Sequence, residues 1–432
     1  MKTINIPGSK SIAARALVCR LLGGHDTVLH NLPDCGDTRG MLRLTEAVRQ
    51  ALSTHTPAKV DIGEGGTTLR FGMAACASIE GLDITLIGSQ RLMERPHDTL
   101  VEALRRMGGE ITPIPSENAI HIKGHSLAGG ILQLDGSVSS QYLSALMLAA
   151  PTWESDTIIQ LSGEVVSRPY IEMTAGVMRA FGGDASCQFS VSGCQNRKPE
   201  PSMEVLVRAT GYAQCARYDI EGDWSGASYF FETRLIADAL GIEIPDFEMP
   251  ALKSPAESLQ GDSRVAAIFA DANRYLHNDQ RSTINDQQTT INDQRSTIKL
   301  QRKTDNVKLN LNDAPDLVPA IAVGFCIAGI PFQIEGVAHL RHKETDRMEA
   351  LATELRRLGY VITTGDDTMA WDGKRCDPEP SPHIRTYQDH RMAMSFAPAK
   401  LAFPSLQIED PIVVEKSFPD FWEEIKKLIP TL

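Results

Sequence analysis

Lys10 stands in Pro7-Gly8-Ser9-Lys10-Ser11, directly before the apolar run 12–22. Gly8 permits a tight turn, Ser9 and Ser11 are helix-start residues, and the run that follows has helical spacing. A helix start presents free N–H groups and the positive end of its dipole, so it suits an anion. Lys10 adds a mobile cation, and Arg15, four positions after Ser11, falls on the same face. The design recurs. Gly63-Glu64-Gly65-Gly66-Thr67-Thr68-Leu69-Arg70 leads into a helix expected over 67–78, with glycines that let backbone N–H groups close on a ligand. Arg95, just after an expected strand, can clamp a carboxylate or phosphate with two N–H groups. Ser139-Ser140-Gln141 repeats the serine-capped start before an expected helix over 142–150. Ser167-Arg168-Pro169-Tyr170 sets a hydroxyl, a cation and a phenol side by side.

The second half carries the same vocabulary. Lys343-Glu344-Thr345-Asp346-Arg347 reads as a helix start that puts Lys343 and Arg347 on one face with Glu344 beside them. A solvated charged helix would fit that pentapeptide equally well. Asp389-His390-Arg391 is an acid cap followed by cations. Asp316, between Pro315 and an apolar run, reads as an N-cap with Pro319 in the first turn. Lys416, before Ser417-Phe418-Pro419, is ordinary taken alone. No metal motif emerges: His121 and His125 are four apart, but Gly124 and the strand-like Ile120-His121-Ile122 deny them a shared helix face. Neither a G-x-x-x-x-G-K-[ST] nor a G-x-G-x-x-G pattern occurs, and no cofactor is expected.

The elements that must hold these residues are legible in outline. A chain of 432 residues with 42% hydrophobic content is expected to form about two domains. A helix, a break and a β-rich strand recur at 17–32, 71–88, 144–163 and 321–336. A helix closed by glycine recurs at Arg106-Met107-Gly108, at 176–183 and at Arg357-Leu358-Gly359. Such units on both sides of the middle imply two similar α/β domains made by duplication. One stretch stands apart. Residues 278–298 are a tandem heptad repeat, N-D-Q-R-S-T-I and a near copy, with too few apolar positions for a coiled-coil seam. It reads as a polar insertion in a globular domain.

Composition narrows the partners. The net charge of −12, with no basic stripe, argues against a nucleic acid and makes clustered cations more telling. Eight cysteines without a C-x-x-C pair suit a cytoplasmic, reducing setting. The N-terminus has no apolar core of a signal peptide. The longest uncharged stretch, 317–334, is broken by Pro319, Gly324, Gly329 and Pro331, which implies a buried helix, a turn and a strand rather than a membrane span.

Taken in order, Pro7-Gly8-Ser9-Lys10-Ser11, Gly66-Thr67-Thr68-Leu69-Arg70, Ser139-Ser140-Gln141, Lys343-Glu344-Thr345-Asp346-Arg347 and Asp389-His390-Arg391 resemble the signatures of the 5-enolpyruvylshikimate-3-phosphate synthase family over nearly the whole chain. The resemblance implies an α/β fold of two similar domains, each built from three βαβαββ units as in the enolpyruvyl transferase inverse α/β barrel. It places one domain at 9–221 and the other at 1–8 plus 222–432. It implies transfer of the enolpyruvyl group of phosphoenolpyruvate to the 5-hydroxyl of shikimate 3-phosphate by a monomer without a cofactor. Carried over residue by residue, it assigns Lys10, Ser11, Arg15, Ser139, Ser140, Gln141 and Ser167 to shikimate 3-phosphate, with Asp316, His339 and Lys343 beside them. Phosphoenolpyruvate falls to Lys10, Gly66, Arg95 and Gln141, and to Arg347, His390, Arg391 and Lys416. Asp316 matches the general base, and Glu344 the acid, with Lys343 and Lys10 assisting. Three positions depart from the pattern: Glu64 and His339 replace asparagines, and Ala13-Ala14 replaces Ser-Asn. Rival readings are the sister enzyme acting on UDP-N-acetylglucosamine and a non-catalytic relative.

Overall fold

The computed structural model describes residues 1–136, 139–163, 165, 167–192, 200–277 and 306–430. The repeat at 278–298 lies outside the described residues. The chain divides into two compact units, Met1–Pro7 with Gly222–Leu432, and Gly8–Glu221.

The first strand, β1 (Lys2–Thr3), belongs to the discontinuous unit. The unit Gly8–Glu221 then begins with α1 (Lys10–Gly23), β2 (Val28–His30) and α2 (Gly36–Thr54). A complete βαβαββ repeat follows: β3 (Ala58–Gly63), α3 (Gly66–Ala77), β4 (Asp83–Gly88), a short α4 (Gln90–Met93) and α5 (Asp98–Arg106), β5 (Glu110–Ile114) and β6 (Ala119–Lys123). A second copy comprises β7 (Gly130–Asp135), α6 (Ser140–Ala149), β8 (Thr157–Ser162), α7 (Arg168–Ala180), β9 (Ala185–Ser192) and β10 (Glu200–Val207). Strand β11 (Arg217–Asp219) closes the unit by pairing in parallel with β2.

In the other unit, α8 (Trp224–Leu240), β12 (Phe247–Glu248) and α9 (Val265–His277) come first. A third complete repeat is β13 (Val307–Asn310), α10 (Val318–Ile327), β14 (Phe332–Glu335), α11 (Arg347–Arg357), β15 (Thr363–Thr364) and β16 (Thr368–Trp371). The chain ends with β17 (His383–Ile384), α12 (His390–Phe396), β18 (Gln407–Ile408) and α13 (Phe421–Lys426).

The three complete repeats share one strand order, first–second–fourth–third: β3-β4-β6-β5, β7-β8-β10-β9 and β13-β14-β16-β15. In each, the first pair is parallel and the last two strands form an antiparallel hairpin. Three further pairs, β11-β2, β1-β12 and β17-β18, are parallel and two-stranded among the described residues; of these, β17 and β18 are consecutive strands joined through α12, while the other two pairs bring together strands distant in the chain. The duplication read from the sequence therefore extends to the pairing pattern.

It extends to the helix stops as well. Gly108, Gly182 and Gly359 all take positive φ, at 103°, 77° and 89°. The next N–H in each case reaches back to a carbonyl of the last turn, Gly109 to Leu104, Gly183 to Met178 and Tyr360 to Leu355, at 2.9 to 3.0 Å. That is the bond a left-handed C-terminal residue makes possible, and it turns an amphipathic helix into the following strand.

A layer of buried helices sits inside each unit. Every residue of α10 and α12 is buried, as are most of α3, α6 and α8. Helices apolar on all sides belong in a core rather than on a surface. Phe325 and Phe332 pack edge to face at 6.3 Å, and each such buried ring contributes about 1.5–3 kcal/mol. The stretch 317–334 is the helix, turn and strand expected of it: α10, Gly329 at φ 72°, then β14. No helix among the described residues is long and apolar enough to cross a membrane. Four of them, α3, α6, α10 and α12, start at or within two residues of positions singled out by the sequence, Gly66, Ser140, Asp316 and His390, which is how the fold positions the site.

Candidate active site

In the unit Gly8–Glu221 the starts of α1, α2, α3 and α6 meet. Ser9 occupies the N-cap of α1, but its hydroxyl makes no capping bond; the helix start is left for other partners. Lys10 pairs with Asp37, in the first turn of α2, at 3.0 Å. Asp37 also approaches α3: a Cβ placed on Gly65 would lie 3.6 Å from its Oδ1. Gly66, the first residue of α3, is flanked by two guanidinium groups, since a Cβ there would meet Arg70 Nη1 at 2.9 Å and Arg95 Nη1 at 3.0 Å. Arg70 donates to Gln141 Oε1, and Gln141 Nε2 donates to Thr67 Oγ1 at 3.2 Å. Ser139 caps α6, its hydroxyl accepting from the Gln141 N–H at 3.4 Å, and Ser140 is the first residue of that helix. Lys10, Gly66, Arg95, Gln141, Ser139 and Ser140 therefore gather at converging helix starts. Positive dipole ends and two arginines around a glycine form a nest for an anion.

Arg15 does something different. It is 2% exposed and spends its donors inside the unit, on the Ser11 carbonyl at 2.8 Å, Thr174 Oγ1 at 2.8 Å and Ser144 Oγ at 3.1 Å. Burial lowers its pKa to about 10, which keeps it charged at neutral pH. Arg15 fixes the position of half-exposed Ser11 from behind rather than lying open to solvent. Ser167, the N-cap of α7, is buried and held at φ 56°, a left-handed conformation that costs a non-glycine residue about 1–3 kcal/mol. Its carbonyl accepts from the Tyr170 N–H at 3.0 Å.

In the unit Gly222–Leu432, Asp316 is the centre. It is not the N-cap its sequence setting implied. It lies in a 3-10 turn, Pro315–Leu317; α10 starts at Val318 with Leu317 at the N-cap position and no side-chain cap, and Pro319 is in the first turn. Pro315 and Pro319 bracket a turn that leaves the carboxylate for other bonds. Asp316 Oδ1 accepts from Arg347 at 2.9 Å, Oδ2 from Arg391 at 2.8 Å, and Lys343 stands at 3.7 Å. Burial by itself would raise its pKa. Arg391, Lys343 and Arg347 outweigh burial and hold the carboxyl well below the usual carboxylate range.

Lys343 and Arg347 do meet, but not on a helix face. Helix α11 begins at Arg347, with Asp346 as its N-cap accepting from the Glu349 N–H at 3.1 Å. Lys343 is extended, after a 3-10 turn over Ala338–His342. The i, i+4 argument fails because the cap residue sits between them; they share Asp316 instead. Arg347 is 1% exposed and divides its donors among three carboxylates: Asp316, Glu344 at 2.9 Å and Asp389 at 2.6 Å. Asp389 is the cap of α12, taking the Arg391 N–H at 3.0 Å, and two consecutive left-handed residues, Tyr387 and Gln388, deliver it. Glu344 Oε1 accepts from Lys416 at 3.1 Å, which brings that isolated lysine into the network. His390 is 1% exposed, beside Asp389. His339 is kept neutral by burial and then by Lys343, its pKa lowered to about 4, and its Nε2 has no hydrogen-bond partner among the described residues.

Burial lowers the Lys343 pKa, while Asp316 works against that effect. A lysine so placed gives up its proton more readily than a free one. Asp37, Arg70 and Asp389 carry much of the geometry without a site role in the sequence reading. Arg70, four after Gly66, and Asp389, the acid before His390-Arg391, had local signals; Asp37 had only its place in the first turn of a helix.

The chain matches the EPSP synthase (3-phosphoshikimate 1-carboxyvinyltransferase) family over residues 1–425. A 3-phosphoshikimate 1-carboxyvinyltransferase of Bacteroides fragilis (strain YCH46) is 36% identical over 432 residues, covering 98% of this chain and 94% of its own. Its counterpart in Yersinia ruckeri is 33% identical, covering 99% and 96%. Among solved structures, EPSP synthase from Acinetobacter baumannii superposes with a TM-score of 0.64 at 20% identity, covering 99% of this chain and 95% of that one, a likeness of fold. On the full-length match and these relatives, the chain belongs to the EPSP synthase family.

Proposed function

We propose how the residues of the two units divide the family's reaction. As an EPSP synthase the chain acts on phosphoenolpyruvate and shikimate 3-phosphate, joining the enolpyruvyl group of the first to the 5-hydroxyl of the second with release of phosphate. Two phosphates and two carboxylates must come together, and their repulsion has to be cancelled by fixed cations. On this reading Ser11, Ser139, Ser140, Gln141 and Ser167 bind shikimate 3-phosphate, with Lys10 and with Arg15 supporting Ser11. His339, through its unpartnered Nε2, and Lys343 add to that set. Gly66, Arg95, Arg347, Arg391 and Lys416 bind phosphoenolpyruvate, with His390 as the wall behind Arg391.

Asp316 takes the proton of the 5-hydroxyl as its oxygen attacks C2 of phosphoenolpyruvate. Glu344, assisted by Lys343, gives a proton to the methylene carbon, so that a tetrahedral adduct forms. Loss of a proton from the new methyl group and departure of phosphate then yield the enol ether. One observation carries this assignment: a single carboxylate, Asp316, held by three cations that also suit anionic substrates. The same chain supplies every cation and carboxyl invoked, which supports a monomer; eight cysteines without a C-x-x-C pair support a cytoplasmic setting.

The test is phosphate release from phosphoenolpyruvate with and without shikimate 3-phosphate, run also with UDP-N-acetylglucosamine. Release that depends on shikimate 3-phosphate alone and falls sharply in Asp316→Asn supports the reading. Release driven by the nucleotide sugar, or none at all, overturns it.

A further inference from the structure

The segment 336–346 carries His339, Lys343 and Glu344 and runs straight into Arg347. Within the site, Lys343 stands 3.7 Å from Asp316, and Glu344 meets Arg347 at 2.9 Å and Lys416 at 3.1 Å. The segment is also held from a second place that the scheme above does not use, the turn between β15 and β16. Those strands pair antiparallel, Thr364 opposite Met369, and the Gly365 N–H donates to the Thr368 carbonyl at 2.8 Å, which closes the tip.

Asp367, exposed at that tip, holds the entry to the segment. Its Oδ2 accepts from the Gly336 N–H at 3.1 Å and its Oδ1 from the Ala338 N–H at 2.7 Å. Its backbone carbonyl takes the Val337 N–H between them at 3.4 Å. Three consecutive N–H groups thus end on one residue. Gly336 has φ 77°, and a Cβ there would lie 2.8 Å from the Asn312 nitrogen, so the entry is also packed from the β13 side. Arg341 holds the other end. It donates through Nη2 to the Gly365 carbonyl at 2.7 Å and through Nη1 to Asp346 Oδ2 at 3.0 Å. The second oxygen of Asp346 caps α11 by accepting from the Glu349 N–H at 3.1 Å. The Arg341–Asp346 pair is 31% and 37% exposed, so it adds little to stability as an ion pair. What these bonds fix is the path of the segment.

We propose that Asp367 and Arg341 are positioning residues: from the β15–β16 turn they clasp the two ends of segment 336–346 and so set His339 and Lys343 for shikimate 3-phosphate and Lys343 and Glu344 for proton transfer. This rests on the assignment of His339, Lys343 and Glu344 above. The phosphoenolpyruvate cations Arg347, Arg391 and Lys416 lie outside the segment, and Arg347 keeps its bonds to Asp316 and Asp389.

Asp367→Ala and Arg341→Ala test the clasp at its two ends. In each, the KM for shikimate 3-phosphate should rise by about tenfold, as when a hydrogen bond to a charged group is lost. Turnover should fall by about tenfold or more, because a small misplacement of acid–base groups is costly. In Asp367→Ala the phosphoenolpyruvate KM should stay within about twofold, since its cations are held elsewhere. Melting temperature should change little, as both side chains lie at the surface. Amide hydrogen exchange of the ligand-free Asp367→Ala protein should speed up at Gly336 and Ala338. Unchanged exchange, or a normal KM for shikimate 3-phosphate, overturns the proposal. So does lower turnover with both KM values normal and a lower melting temperature, the mark of a purely structural role. Lys343→Ala tells the two failures apart. If it too leaves the shikimate 3-phosphate KM normal, the site assignment is at fault; if it raises that KM and Asp367→Ala does not, the clasp alone is rejected.

Discussion

Arg391 and Asp316, 75 positions apart in the chain, are joined at 2.8 Å. With Arg347 on the other oxygen and Lys343 nearby, the carboxylate is so well compensated that it is a poor base as it stands. A base must hold its proton long enough to take it from a hydroxyl, which a strongly lowered pKa opposes. Anionic substrates resolve this conflict. As a phosphate or carboxylate takes over Arg391 and Arg347, those cations are shared and the pKa of Asp316 climbs back. On the proposed assignment of Asp316 as the base, substrate binding and activation of that base are one event.

Asp316→Asn should therefore lower turnover by about 10²–10⁴-fold while leaving phosphoenolpyruvate binding intact or somewhat tighter, because the substrate no longer competes with a carboxylate for two arginines. No cap of α10 is lost, since that helix has no side-chain capping bond. Steady-state kinetics with calorimetric binding check both halves. Weaker binding in the variant would mean that Asp316 helps to hold the substrate rather than vying with it.

The sequence carried the helix starts and the repeat because those are local signals: Ser139 before Gln141, Asp389 before Arg391, and glycine after the last turn at 108, 182 and 359. It misplaced what depends on distant partners. Asp316 looked like a cap because Pro315 and Pro319 flank it, yet three cations from 343, 347 and 391 hold it. Lys343 and Arg347 looked like helix neighbours because the sequence does not say that Asp346 takes the cap. Asp37 was invisible as a site residue, since an isolated acid near a helix start is what any capped helix has. Its meaning comes from Lys10.

Gly66→Ala should raise the KM for phosphoenolpyruvate by about tenfold, or ~1.4 kcal/mol, with little change in melting temperature. The added methyl would sit 2.9 Å from Arg70 Nη1 and 3.0 Å from Arg95 Nη1. Both are ends of flexible side chains that can swing away, so the fold tolerates the change. The anion loses the geometry of two converging guanidinium groups. A variant with the normal KM would place phosphoenolpyruvate elsewhere.

Glu64 replaces a family asparagine two residues before Gly66, where a charge turned inward would repel an anion. The structure leaves it exposed. Glu64→Gln should then change the phosphoenolpyruvate KM by less than about fivefold, as for a screened surface charge, and equally from pH 6 to pH 8. A large gain that grows with pH would mean that the side chain faces the ligand.

Glu232 presents the opposite case, a carboxyl with no access to water. It is 0% exposed on α8, neither oxygen has a hydrogen-bond partner among the described residues, and its Cγ lies 3.0 Å from where a Cβ on Gly324 would be. Burial raises its pKa well above the ordinary glutamate value, so the folded protein keeps it neutral. The unfolded chain releases that proton near pH ~4.3, and above that pH unfolding therefore frees a proton. Stability contributed at this position falls as pH rises, until the folded carboxyl ionises as well. Glu232→Met preserves the unbranched shape beside Gly324 and removes both the unsatisfied oxygens and the proton release. It should stabilise the protein by about 1–3 kcal/mol at neutral pH, with a smaller gain near pH 5. Urea unfolding at several pH values measures this directly. A variant that is less stable, or whose gain is the same at every pH, would mean that Glu232 is ionised or paired in the folded chain.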